Sequence, residues 1–140
     1  MNKNRILIDF SQSPSVKFGK SVPRKVFSSV WVVKSEVNNG GFSQYFGNSS
    51  AETAAFVAEA LDTIGAPRTA HICRRAVACA FPSGLPPAPE QISDFSDETL
   101  DELASLDDEF TAYPHDLTEL LFAYVSAHPE EFGSGSKLTA

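Results

Sequence analysis

Leu117, Leu120, Leu121, Tyr124 and Val125 recur at i, i+3, i+4, i+7 and i+8. That spacing lines one side of a helix with 3.6 residues per turn. The same period returns upstream. Ser49 followed three residues later by Glu52 is a capping box, and Ala54, Val57, Ala58, Leu61 and Ile64 then follow at helical spacing. Gly65 closes that helix, and Pro67 opens the next, in a first turn where a missing N–H costs nothing. This next helix, over residues 68–81, turns Cys73, Ala76, Val77, Ala80 and Phe81 inward and Arg68, His71, Arg74 and Arg75 outward. Pro82, Pro86, Pro87 and Pro89 mark a rigid loop. Ser96 caps a helix over about residues 97–110, with Leu100, Leu103, Leu106 and Phe110 as its apolar side. The last helix spans about residues 115–128, and Pro129 ends it.

The front of the chain reads less simply. A helix starts after Ser21, with Pro23 in its first turn, and runs through Val26, Phe27, Val30, Trp31 and Val33 to Val37. Valine is a mediocre helix former, so a strand over residues 29–34 competes. Asn38, Asn39, Gly40 and Gly41 stop the helix, because asparagine and glycine tolerate left-handed backbone, and a short helix over residues 41–46 follows. Residues 6–10 are compatible with a short strand. The prediction is an all-α, single compact domain of six or seven helices, with room for a short N-terminal strand or hairpin. Residues 1–21 form a variable basic segment, residues 22–132 the helical domain and residues 133–140 a flexible tail. The helices at 50–64 and 68–81 pack as neighbours, since short loops join antiparallel helices.

At 140 residues, 42% hydrophobic and 21% charged, the chain is sized and composed as one globular domain, not a disordered segment or a coiled-coil rod. No run approaches the roughly 18 apolar residues of a membrane span. The N-terminal apolar run, Ile6, Leu7 and Ile8, is broken by Asp9, too short for a signal peptide. Cys73 and Cys79, six apart on a helix, lie about 9 Å apart along its axis, beyond disulfide reach. The expectation is a pair of free thiols in a cytoplasmic protein.

Charge is distributed unevenly. Residues 1–40 carry seven basic and two acidic residues, whereas residues 90–131 carry thirteen acids and no lysine or arginine. The overall charge of −7 hides this polarity. At about 100° per residue, Asp97, Glu98, Asp101, Glu102, Asp108 and Glu109 share one face of the helix at 97–110. Like charges at i, i+4 repel, so the face is either simply solvated or completed by a cationic partner. Six carboxylates over about 18 Å of helix axis approach the charge spacing of a nucleic-acid strand. With Asp94, and with Asp116 and Glu119 nearby in sequence, they form a candidate face for a basic protein, one that repels nucleic acid. The alternative is self-association into a homo-oligomer, with the basic N-terminal segment docked on this face. Asp107 falls on the apolar arc beside Leu103, where a carboxylate needs a hydrogen bond or a cation. A backbone N–H or an arginine such as Arg75 would serve.

No catalytic signature emerges. His71, His115 and His128 lack metalloprotease spacing, the region from Asp94 to Glu102 lacks the calcium-loop glycine, and residues 133–137 lack phosphate-loop spacing. The expectation is a protein that is not an enzyme, with no metal and no cofactor; an enzyme of unknown type is the lesser alternative.

One stretch is specific: Glu36, Val37, Asn38, Asn39, Gly40, Gly41, Phe42, Ser43, Gln44, Tyr45, Phe46, Gly47, Asn48. Physically it reads as a glycine-permitted reversal between two helices, with Phe42, Tyr45 and Phe46 anchored in the core and Gln44 and Asn48 satisfying backbone groups. A small-ligand site on Asn38, Gln44 and Asn48 is the other reading. This stretch, with residues 59–66, 106–110, Tyr124, Val125 and His128, resembles a bacterial helical domain family of largely unknown function, named after a DNA-mimic protein (DMP-type). The likeness spans about residues 22–132. It implies an acidic surface that imitates DNA and occupies a DNA-binding protein. Residues 1–20 and the basic charge of the first 40 residues depart from that pattern.

Overall fold

The structure, a computed structural model, describes residues 7, 22–47, 53–82 and 95–132. The described residues form five helices and no strand: α1 (Val22–Gly47), α2 (Val57–Thr63), α3 (Pro67–Ala80), α4 (Asp97–Thr111) and α5 (Leu117–Ser126). Helix α1 packs on α2 and α4, and α3 packs on the same two, so four helices close around one core; α5 lies against α1.

The valines of α1 settle as a helix because Val26, Val30, Val33 and Val37 fall on one buried side. Burial of that stripe outweighs valine's modest propensity. Six or seven helices were expected, and the described residues hold five continuous runs, of which α1 is two helices joined across a kink at Gly41. Residues 38–40 remain helical, and the non-helical backbone inside α1 is confined to Gly41, at φ 80° and ψ −177°. The anticipated reversal across four residues is thus a one-residue break, since the asparagines keep their helical bonds and only Gly41 needs a conformation closed to other residues.

Helix α2 is shorter than its sequence pattern, with a 3₁₀ turn at 53–55 ahead of it; Ser49 and Glu52 lie outside the described residues. Gly65, at φ 90°, ends it. The Ala66 N–H donates to the Leu61 carbonyl (2.8 Å) and the Gly65 N–H to the Asp62 carbonyl (3.0 Å), a Schellman closure. The chain then turns directly into α3, which packs on α2 as the short connection requires. Leu7, inside the stretch compatible with a strand, is helical and 1% exposed. Residues 1–6, 8–21, 48–52, 83–94 and 133–140 lie outside the described residues.

Phe42, Tyr45 and Phe46 are fully buried. Phe42 meets Phe110 of α4 edge-on at 5.7 Å, and Phe46 meets Phe81 edge-on at 5.4 Å. These are favourable ring geometries, and they tie the end of α1 to both α4 and the end of α3. No described helix is long and apolar enough to cross a membrane.

Candidate protein-binding surface

Leu103, Leu106 and Phe110 set the rotation of α4 by turning into the core. Ser96 starts the helix: its Oγ accepts the Thr99 N–H at 3.1 Å, a normal N-cap. Asp97 and Glu98 occupy the first turn, the end of the helix dipole that favours anions. Asp97, Glu98, Asp101, Glu102, Asp108 and Glu109 are all exposed. Leu100 does not join the apolar side as expected; it is 39% exposed. The buried arc of α4 centres on Leu103, Leu106 and Phe110, and Leu100 sits at its rim, about 90° from that centre at 100° per residue.

The carboxylates differ in their company. Glu109 accepts a hydrogen bond from Arg75 Nη1 at 2.7 Å, and this bond raises the Arg75 guanidinium above its ordinary value. Glu102 lies beside the Cys79 thiol. Asp97, Glu98, Asp101 and Asp108 make no ion pair with any described residue. Asp116 is exposed and caps α5, its Oδ1 accepting the Glu119 N–H at 3.1 Å. Glu119 is exposed on the next turn. Asp94 lies outside the described residues.

Asp107 is the exception on α4. It is half-buried where Asp101 and Asp108 are exposed, and its Oδ1 accepts the Phe42 N–H at 2.7 Å. Its partner is that backbone N–H, while Arg75 is engaged by Glu109. The carboxylate caps the arm of α1 that restarts after Gly41. Burial pushes its pKa above the ordinary value; the Phe42 N–H pulls the other way, and Asp108 adds to the rise.

The motif around Gly41 is consumed internally. A Cβ on Gly41 would lie 2.2 Å from Asp107 Oδ2, and one on Gly40 would lie 2.1 Å from Gln44 Oε1. Gln44 Nε2 donates to Glu36 at 3.0 Å, and Asn39 Nδ2 donates to Gln44 Oε1 at 3.3 Å. The Tyr113 hydroxyl donates to Asn38 Oδ1 at 2.6 Å. The Tyr45 hydroxyl bonds the Thr53 hydroxyl, and burial drives the Tyr45 phenol well above its usual range. Asn38 and Gln44, offered as ligand groups, therefore spend these atoms within the chain, and Asn48 lies outside the described residues. Tyr113 went unanticipated: its φ of 50° has no signal in the sequence apart from the proline that follows.

The basic front of the chain does not lie over α4 where it is described. Arg24 donates to the Glu131 carbonyl at 3.0 Å and pairs with its carboxylate, and the Lys25 ammonium sits 4.3 Å from the centre of the Phe56 ring. Cys73 and Cys79 are free thiols, and burial pushes the Cys73 thiol up to about 12. Among the described residues no three His, Cys, Asp or Glu side chains are grouped to hold a metal ion.

The family model of DMP19-like proteins matches residues 21–128, a span that contains all five helices and the Gly41 break. No curated protein and no solved structure matches the chain.

Proposed function

The chain belongs to the DMP19-like family, and on that premise we propose that it is a non-enzymatic, acidic binding module that occupies the DNA-binding surface of a basic protein in the manner of a DNA mimic. The observation that carries this reading is the exposed face of α4, where Asp97, Glu98, Asp101 and Asp108 stand without a cation among the described residues. Holding like charges close on a helix is unfavourable, and a cationic partner relieves it. Such a face repels phosphate and steers basic surfaces over a Debye length of about 8 Å at physiological salt. Its setting on this reading is the cytoplasm, in keeping with two free thiols.

The test is a titration of the protein against a basic DNA-binding partner, with competing duplex DNA, at several salt concentrations. Mimicry requires that DNA and this protein exclude each other, that association slow as salt rises, and that replacing Asp97, Asp101 and Asp108 by Asn weaken binding. The triple variant stays folded, its stability within about 0.5 kcal/mol of the parent, because relieved repulsion offsets the lost dipole interaction of Asp97. Simultaneous binding of DNA and this protein, or an affinity unchanged in the triple variant, rejects the proposal. Self-association through the same face would show as a concentration-dependent mass that the triple variant abolishes.

A further inference from the structure

An open groove of about 570 Å³ runs between α3 and the turn that follows α4. It lies on the side of α3 that carries the outward-facing basic residues, and of the acidic face only Glu109 borders it. Its floor is apolar: Ile72 is 6% exposed, and Pro67, Ala112 and Pro114 flank it. Arg68 rims one end, and His71, about one turn further along α3, stands between it and Arg75. The Arg68 and His71 side chains make no hydrogen bond or ion pair with any described residue, while the Arg68 backbone N–H donates to His115 Nε2 at 3.2 Å. The other end is closed by Arg75 and Glu109, which neutralise each other. Arg75 stands seven residues after Arg68, about 10 Å along the axis at the helical rise.

We infer that this groove is a binding site for a small organic anion with an apolar body and a single phosphate or carboxylate head. Three features select that chemistry. The volume and lining match small-molecule sites, which are largely apolar with a few convergent polar groups. The two uncommitted side chains, Arg68 and His71, stand about one turn apart on α3, and guanidinium is the group that grips carboxylate or phosphate with paired donors. Glu109 at the opposite end sets the orientation: the head lies toward Arg68 and His71, and the body covers Ile72 and Ala112. The local charge is what allows an anion to bind a chain of net charge −7.

The experiment follows backbone amide resonances of the full chain during titration with phenyl phosphate and with phenylacetate, each to millimolar concentration. Inorganic phosphate and benzyl alcohol supply head and body separately. The expected result is saturable shifts at Arg68, His71, Ile72 and Ala112 with one of the two anions, at least tenfold weaker binding of either half alone, and at least tenfold weaker binding to Arg68→Gln. The comparison of phenyl phosphate with phenylacetate identifies the head. Arg68→Gln removes no internal side-chain bond, so its spectrum otherwise overlays the parent's, and the Asn triple variant of α4 binds the probes as the parent does. Absence of saturable shifts, shifts centred elsewhere, equal binding of benzyl alcohol, or unchanged affinity in Arg68→Gln overturns the inference.

Discussion

The Gly41 motif and the outer face of α4 are both dense in polar residues, and they spend them in opposite ways. Around Gly41, the Asn38, Asn39, Gln44 and Asp107 side chains each bond another part of the same chain. On α4, Asp97, Glu98, Asp101 and Asp108 bond no described cation. A helix break that is capped and packed needs specific residues at specific places, because the Phe42 N–H must find its acceptor and the Phe42, Tyr45 and Phe46 rings must fit the core. A charged face needs only a sign and a spacing. The two regions meet at α4, where Asp107 faces the motif while its neighbour Asp108 faces solvent.

The sharpest way to break this contrast is in the core beneath the motif. Phe42 is fully buried against Phe110 and Phe46, so Phe42→Ala should cost about 3–5 kcal/mol in urea unfolding. Leu100→Ala, at the exposed rim of α4, should stay within about 0.5 kcal/mol. If both changes cost the same, the assigned rotation of α4 is wrong.

Next come the paired glycines. Gly41→Ala forces a side chain into a backbone region reserved for glycine, at about 1–3 kcal/mol, and drives it into the Asp107 carboxylate. Gly40→Ala stays in helical backbone and meets one side chain, Gln44, whose amide can swing away though its Cβ, at 3.0 Å, cannot; the alanine's better helix propensity, up to about 1 kcal/mol, offsets part of that cost. Thermal unfolding of the two variants should therefore separate widely.

The smallest effect is at Asp107. Removing the cap in Asp107→Ala should cost about 0.5–2 kcal/mol, while Asp107→Asn keeps an oxygen for the Phe42 N–H. The folded-state pKa of Asp107 is raised, so the folded protein holds this proton more tightly than the unfolded chain. The corresponding stability is present below the ordinary aspartate value and is lost as pH rises through the raised one. Asp107→Asn should abolish that loss, gaining on the parent as pH is brought from acid to neutral. Denaturant midpoints of both proteins across that range provide the check, and parallel curves would show that Asp107 titrates normally.

Much of this was legible in the sequence, for identifiable reasons. Helix α3 runs Pro67–Ala80 because Pro67 can only open a helix and the apolar spacing carries it. The burial of Asp107 followed from the 100° rotation alone, as did that of Phe42, Tyr45 and Phe46 from their spacing. The partners did not follow. That Asp107 reaches Phe42, Tyr113 reaches Asn38 and Arg75 reaches Glu109 depends on how helices pack, which no local pattern encodes. The break within α1 was legible too, since only glycine accepts the backbone found at Gly41; that residues 38–40 stay helical right up to it was not, because asparagine and glycine are weak helix formers.

The bond from Phe42 to Asp107 spans 65 residues of chain, and it makes the arm of α1 beyond Gly41 dependent on a helix distant in sequence. The arm of α1 beyond Gly41 has six residues, too few to hold a helix in water by itself. Its cap arrives only with α4, after a long loop has closed, and loop closure carries its entropy before any contact rewards it. The arm therefore depends on α4 for its cap and much of its burial, and a change that loosens the packing of α4 should loosen the arm with it.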